Sequence, residues 1–219
     1  SLGQWKRNVA KPLANQRIGI FVLCAAFAAP ILKLTNRVGN FGFELVGPKG
    51  TGKSTFQQIM SSVLGGAIQG EDGHYWTSFD ATPSGLEQAM ASHSDLPMIL
   101  EEANLYIAGD SPRVRGEHFK ALAFRLAGGS EKTRFGQSAA REFRLVYLTS
   151  SNEPLAALIG RNTETARAAA DRLITIPIPT DRPHGLFDSI PEAFASGSEF
   201  AKSLIAAADQ HHGNAIRRF

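Results

Sequence analysis

The run Gly47-Pro48-Lys49-Gly50-Thr51-Gly52-Lys53-Ser54-Thr55 has the spacing G-x-x-x-x-G-K-[ST], which wraps backbone N–H groups around a chain of phosphates. Each residue type has a task there. The glycines let the backbone turn inward, and Lys53 carries an ammonium able to reach β- and γ-phosphates. The Ser54 hydroxyl is a direct ligand for Mg²⁺. ATP and Mg²⁺ are therefore the expected cofactors, with Gly47 through Thr55 as the nucleotide-binding stretch. The flanking elements suit that work. Phe41 to Val46 favours a strand, and Ser54 to Leu64 predicts a helix with Phe56, Ile59, Met60 and Val63 on one side. A helix starting at the loop adds the favourable end of its dipole to the phosphate site.

Three further constellations follow in chain order. Leu96-Pro97-Met98-Ile99-Leu100 is an apolar strand that ends in two carboxylates, Glu101 and Glu102, groups able to support a metal and to take a proton. A solvated acid pair at a strand end is the plain alternative. Phe143 to Thr149 predicts a third strand running into Ser150-Ser151-Asn152-Glu153-Pro154; Asn before an acid and Pro is also a common turn signal. Thr163 to Arg172 reads as an alanine-rich helix leading into a terminal strand at Leu173 to Ile178. Arg172 stands at that junction, either as a cation for chemistry or as an ion-pair partner of Asp171 or Glu164. Arg167 and Arg161 are the alternates.

The rest of the chain sets bounds. Its 219 residues are enough for a full core, and 43% hydrophobic with 20% charged residues is ordinary globular composition. A net charge of +3 permits nucleic acid without requiring it. The single cysteine, Cys24, allows no internal disulfide and, lying in an apolar stretch, is expected to be a buried structural thiol. The apolar run Ile18 to Leu32 contains Pro30 and falls short of the roughly 20 residues that cross a bilayer. It is expected to be a helix packed on the core, with no membrane involved and a cytoplasmic location. Trp5 and Trp76 are expected to pack, with an adenine stack for Tyr75 or Trp76 as the alternative. The abrupt opening and the end at Arg217-Arg218-Phe219 suggest a piece of a longer protein.

Taken together, these pieces resemble the additional-strand superfamily of P-loop ATPases that includes AAA+ and superfamily 3 helicases. More narrowly, the chain is similar to an uncharacterised domain family of helicase-like proteins encoded by bacteria, phages and mobile elements. The resemblance runs through Trp5 with Val9-Ala10, Gly42-Phe43 and the glycine-rich loop, then Trp76, Thr82 and Gly85-Leu86-Glu87. It continues through His93-Ser94-Asp95, Lys132 with Arg134, Arg172, Gly185-Leu186-Phe187-Asp188 and His212-Gly213. It implies that Glu101 supports Mg²⁺ through water and that Glu102 polarises the attacking water. Asn152 then takes the sensor position that holds the γ-phosphate, and Arg172 reaches a neighbouring subunit's nucleotide. Two departures stand out: Glu101 replaces the usual Asp, and Ser151-Asn152-Glu153-Pro154 is nearer to superfamily 3 than the Ser-Gly-Glu of the narrower family.

The segment Gly128-Gly129-Ser130-Glu131-Lys132-Thr133-Arg134-Phe135-Gly136, with Arg141 to Arg144 returning beyond it, predicts a β-hairpin. In similar helicases such a hairpin points into a central pore, which makes Lys132, Arg134 and Phe135 the candidates for gripping phosphate and stacking on a base. A contact to a neighbour's ATP and an ordinary charged loop remain open as alternatives. Arg113 to Lys120 is expected to be a solvated helix.

The expected architecture is an α/β P-loop core at 39–181 with a parallel five-stranded sheet in 5-1-4-3-2 order, near Phe43, Tyr75, Ile99, Val146 and Ile176. An N-terminal helical segment at 1–38 and a C-terminal helical cap at 182–219 complete one compact unit. The cap is expected to run as a helix over Ile190 to His212. The implied activity is Mg²⁺-dependent ATP hydrolysis by the motor of a replicative-type DNA helicase or translocase from a phage or mobile element. Its partners would be copies of itself in a ring such as a hexamer, single-stranded or forked DNA, and a primase or other replication protein. The rival from another class is an ATP-dependent assembly switch or scaffold that hydrolyses slowly and does not translocate. A small-molecule kinase is a weaker third.

Overall fold

Runs rich in β-branched, leucine and aromatic residues form five strands in the computed structural model: β1 Phe41–Val46, β2 Thr77–Ser78, β3 Leu96–Glu101, β4 Leu145–Ser151 and β5 Leu173–Pro177. They lie in one parallel sheet in the order β2-β3-β4-β1-β5, the expected order read from the opposite edge. Only β2 departs from its expected place, starting just after Tyr75 and Trp76. The structure describes residues 1–35, 40–68, 75–101, 111–130, 142–155, 157 and 173–219. These fall into two compact units, one of Ser1–Phe27, Gly47–Trp76 and Pro177–Phe219, the other of Ala28–Val46 and Thr77–Ile176.

The sheet belongs to the second unit. Every residue of β4 is buried, as a strand covered on both faces should be, whereas edge strand β5 leaves Ile174 52% exposed. β1 and β4 pair in register from Phe41↔Val146 to Val46↔Ser151, and β3 joins β4 from Leu96↔Leu145 to Leu100↔Thr149. The core of this unit gathers Met98 and Leu100 of β3, Tyr147 of β4 and residues of two helices. These helices are Pro83–Ser92, which contributes Leu86 and Met90, and Pro112–Gly128, which contributes Phe119, Leu122 and Leu126. Thr82 caps the first by accepting a hydrogen bond from the Gly85 N–H at 3.1 Å. Arg125 of the second meets the buried Glu87 of the first at 2.5 Å. At the start of β3, Asp95 adopts a left-handed φ of 66° and accepts a two-pronged bond from Arg144 at 2.7 and 2.9 Å.

The first unit is helical. Its chain opens with a short α-helix, Leu2–Trp5, that runs on through a π-turn at Lys6–Ala10 and a 3-10 turn at Lys11–Leu13. Trp5 is buried, and its indole N–H donates to the Ser62 hydroxyl at 3.0 Å. Trp76 is half-buried, its indole N–H donating to the Ala67 carbonyl at 3.0 Å. The helix after the glycine-rich loop spans Lys53–Ser61 and buries Phe56, Ile59 and Met60, as its periodicity requires. It stops earlier than expected, and Val63 is buried in the turn beyond it. The closing helix is Gly197–His211, shorter than the 190–212 expected from the aromatic spacing. Ser196 caps its start, and Phe194 lies upstream, stacked on Phe200 at 5.2 Å.

Two expectations about the N-terminal apolar run need correction. The helix Arg17–Ile31 continues through a 3-10 turn at Leu32–Thr35, a helical stretch of 19 residues with mean hydropathy 2.1. By length and composition alone it meets the measure of a membrane-crossing helix, as core helices of soluble proteins also do; 39% of its apolar window is buried. Val22, Ala25, Ala26 and Ala29 face inward while Ile20 and Ile31 are exposed. Cys24 is exposed too, contrary to the buried thiol expected. A helix apolar on every side carries no stripe to say which face is covered, so burial of one residue cannot be read from its neighbours.

The tightest joint in the sheet lies where Gly42 and Tyr147 pair across β1 and β4. A Cβ at position 42 would fall 2.1 Å from the buried Tyr147 ring. Gly42→Ala is expected to force the ring and strand apart and destabilise by about 2 kcal/mol or more. A thermal melt should show a fall in Tm of at least about 4 °C; an unchanged Tm would show that the ring can move without cost.

Candidate nucleotide-binding site

The glycine-rich loop starts where β1 ends in the chain and closes onto the helix Lys53–Ser61. Gly47 packs so closely on Ile178 that a Cβ there would lie 2.9 Å from the Ile178 Cβ. Gly52, at the helix N-cap, has a φ of 97°, a left-handed value that side chains resist, and no side chain caps the helix start. The N–H groups of the first turn are thus left to whatever the loop encloses. Lys53 Nζ reaches back into the loop, donating to the Gly47 carbonyl at 2.6 Å and the Pro48 carbonyl at 2.7 Å. Thr51 Oγ1 donates to the same Pro48 carbonyl at 2.9 Å. Partial burial, and then the neighbouring Lys49, hold the Lys53 ammonium below its usual pKa. Ser54 is exposed and Thr55 buried, so the Ser54 hydroxyl is the one open to a metal. These residues fit a nucleoside triphosphate: an uncapped helix N-terminus, an ammonium held against the loop and an open hydroxyl in the first turn. Among the described residues no three His, Cys, Asp or Glu gather as a metal cage. Mg²⁺ in phosphate sites commonly relies instead on one or two protein ligands with phosphate oxygens and waters.

In the second unit, the carboxyl ends of β1, β3 and β4 share one edge of the parallel sheet. Glu101 is the last residue of β3 and is half-buried; its carbonyl accepts from the Phe79 N–H at 3.1 Å. Asn152 follows the end of β4 directly and is exposed. Glu102 and Arg172 lie outside the described residues, as do the alternates Arg161 and Arg167. Lys132, Arg134 and Phe135 do too, although the base of their segment is described. Ser130 and Glu142 form an antiparallel bridge, and Phe143 N–H donates to the Gly129 carbonyl at 2.7 Å.

One part of the loop's surroundings had no assigned role in the sequence. The segment Arg182–Asp188 straps the glycine-rich loop within the first unit. Leu186 N–H donates to the Thr51 carbonyl at 3.1 Å. Gly185, at φ 63°, comes so near that a Cβ would lie 2.8 Å from the same oxygen. Phe187 stacks on Phe56 at 5.3 Å and on Phe200 at 4.9 Å, tying the strap to the loop's helix and to the closing helix. Asp188 anchors the far end, accepting from Arg17 at 2.5 and 2.9 Å and from Arg182 at 3.0 Å. The Arg17 hydrogen bond holds its carboxyl below the usual range. The one signal in the sequence was the Gly185-Leu186-Phe187-Asp188 string itself, whose glycine next to large apolar residues marks a close backbone approach.

A parallel sheet in this order, with a glycine-rich loop between its first strand and the next helix, defines the fold of a P-loop NTPase. Residues 1–140 match the family described as Domain of unknown function (DUF927), and the chain belongs to that family. No curated protein matches the chain. Among solved structures it is similar to the SCCmec type IV Cch active helicase, at 16% identity and a TM-score of 0.70 over 99% of this chain. The chain spans 36% of that helicase's length. It also matches JCV helicase at 12% identity over 96% of this chain and 60% of that one, with a TM-score of 0.44. NtrX from Brucella abortus in complex with ADP matches at 15% identity over 70% of this chain and 35% of that one, with a TM-score of 0.37.

The strap should matter to the loop as well as to the fold. Gly185→Ala is expected to lower Tm by about 4 °C and to weaken ATP binding by about tenfold, since the Thr51 carbonyl must shift. Equilibrium titration with ATP beside a thermal melt separates the two effects; a lowered Tm with unchanged affinity would confine the strap to a structural role.

Proposed function

We propose that this chain is the ATP-hydrolysing motor domain of a DNA helicase or translocase. The observation that carries the reading is the loop itself: Lys53 Nζ folded back onto the Gly47 and Pro48 carbonyls, beside a helix start that no side chain caps. In this reading Gly47 through Thr55 hold the triphosphate, with Lys53 on the β- and γ-phosphates and Ser54 as the direct ligand of Mg²⁺, whose charge screens the phosphates. Glu101 supports that ion through water. Glu102 takes a proton from the attacking water, and Asn152 holds the γ-phosphate and that water in line. Arg172, supplied to a neighbouring copy's nucleotide, stabilises charge on the transferring group. An arginine in that role is worth about 10³–10⁵ in rate.

The likeness in fold to the Cch helicase supports the motor over other P-loop activities, as does the order of acid pair, Asn152 and Arg172 along the chain. The domain works as a ring-like homo-oligomer on single-stranded or forked DNA in the cytoplasm, within a replication module of mobile DNA that includes a primase. Lys132, Arg134 and Phe135 contact DNA in this reading.

Steady-state ATP hydrolysis with and without single-stranded DNA, alongside solution mass, tests the reading. Wild type should be stimulated by DNA and assemble, and Lys53→Ala should lose ATP binding or turnover. Binding without turnover, or turnover indifferent to DNA, would favour the slow assembly switch. Glu102→Gln should bind ATP with near-normal affinity yet hydrolyse it at least about a hundredfold more slowly. Turnover close to wild type in that variant would remove Glu102 from the role of base.

A further inference from the structure

The most deeply buried acid in the described structure is Glu44, in the middle of β1, with no exposed surface. An acid in such a place is costly unless its oxygens are satisfied. Its partners are unusual in where they lie. Oε1 accepts from Ser151 Oγ at 2.8 Å and from Leu155 N–H at 2.9 Å, so one oxygen takes both ends of the turn Ser151-Asn152-Glu153-Pro154-Leu155. Oε2 accepts from Thr175 Oγ1 of β5 at 3.4 Å. Leu155 opens the helical turn beyond β4, where its N–H has no intrahelical acceptor, and Pro154 has no N–H to offer. Ser151 and Leu155 are both buried, while Asn152 between them is exposed. The carboxylate therefore pins the two covered residues and leaves the amide side chain presented from a turn of fixed span.

We propose that Glu44 is a positioning residue that sets the direction of Asn152 by holding both ends of its turn. The kinetic part of this inference rests on the ATPase reading, in which Asn152 orients the γ-phosphate and water; the geometric part does not. Burial pushes the Glu44 carboxyl above its usual range, against the pull of its hydrogen bonds. Glu44 is fully buried and acts only through Asn152. A displacement of about 1 Å at such a group costs on the order of 10²-fold in rate.

The test compares Glu44→Met, Glu44→Gln and Ser151→Ala in the whole chain. Two readouts are used: hydrogen exchange of the Leu155 amide, and ATP affinity against kcat. Glu44→Met fills the same space without an acceptor. It should raise Leu155 exchange by about tenfold or more and lower kcat roughly tenfold to hundredfold, with ATP affinity within about twofold of wild type. Adding Asn152→Ala to it should cost nothing further. Glu44→Gln keeps an oxygen at Oε1 and should stay near wild type. Ser151→Ala releases only one end of the turn, should show a smaller loss of the same kind, and serves if Glu44→Met does not fold. Unchanged Leu155 exchange, a Gln variant as impaired as Met, or additive losses with Asn152→Ala would each overturn the proposal. If wild type neither binds nor hydrolyses ATP, the ATPase reading falls on its own, and Leu155 exchange still decides whether Glu44 holds the turn.

Discussion

The β1–β4 ladder is the constraint on which the rest of the second unit is built. Each strand of a parallel pair must present side chains that fit the other without the freedom of a tight turn between them, since the chain must cross over to return. Here the crossover spans everything from the glycine-rich loop to the start of β4. The fit depends on a residue without a side chain, Gly42, beneath the ring of Tyr147, and on Asn40 accepting the Leu145 N–H at 2.7 Å where β4 begins. With that register set, Val46 and Ser151 end side by side. Gly47 and Asn152 are the residues that follow those two strands in the chain.

The glycine-rich loop of the candidate site was legible because backbone geometry of this kind demands glycine at set intervals. Gly47, Gly50, Gly52 and Lys53 announce their loop in any chain. The sheet was legible for a related reason: buried parallel strands read as unbroken apolar runs, as Met98-Ile99-Leu100 and Leu145-Val146-Tyr147-Leu148 do. β2 was harder to place, since two residues with little apolar pattern carry no periodicity. Glu44 was invisible for the opposite reason to the loop. A lone acid in a strand reads as solvent-facing, and only the fold brings Ser151, Leu155 and Thr175 to it from far along the chain.

Several residues that carried the family resemblance turn out to hold joints together. Thr82 caps a helix, Glu87 meets Arg125, Asp95 takes the Arg144 fork, and Gly185 with Asp188 fixes the strap over Thr51. None of these contacts is local enough to be inferred from spacing, apart from the Thr82 cap. The closing helix shows the limit of aromatic periodicity. Phe194 and Phe200 share an environment without sharing a helix, because Phe194 reaches Phe200 from the turn upstream. Side chains that meet need not be positioned by the same element.

The exposed thiol on the apolar helix gives this molecule a built-in point of attachment. Cys24 is the single cysteine of the sequence, it is open to solvent, and Ile20 one helical turn away is open as well. A thiol-reactive dye or spin label would therefore go to one site on these 219 residues. Its surroundings are oily on one side and aqueous on the other, so an environment-sensitive label there would report by colour or mobility whenever another surface came to cover that helix.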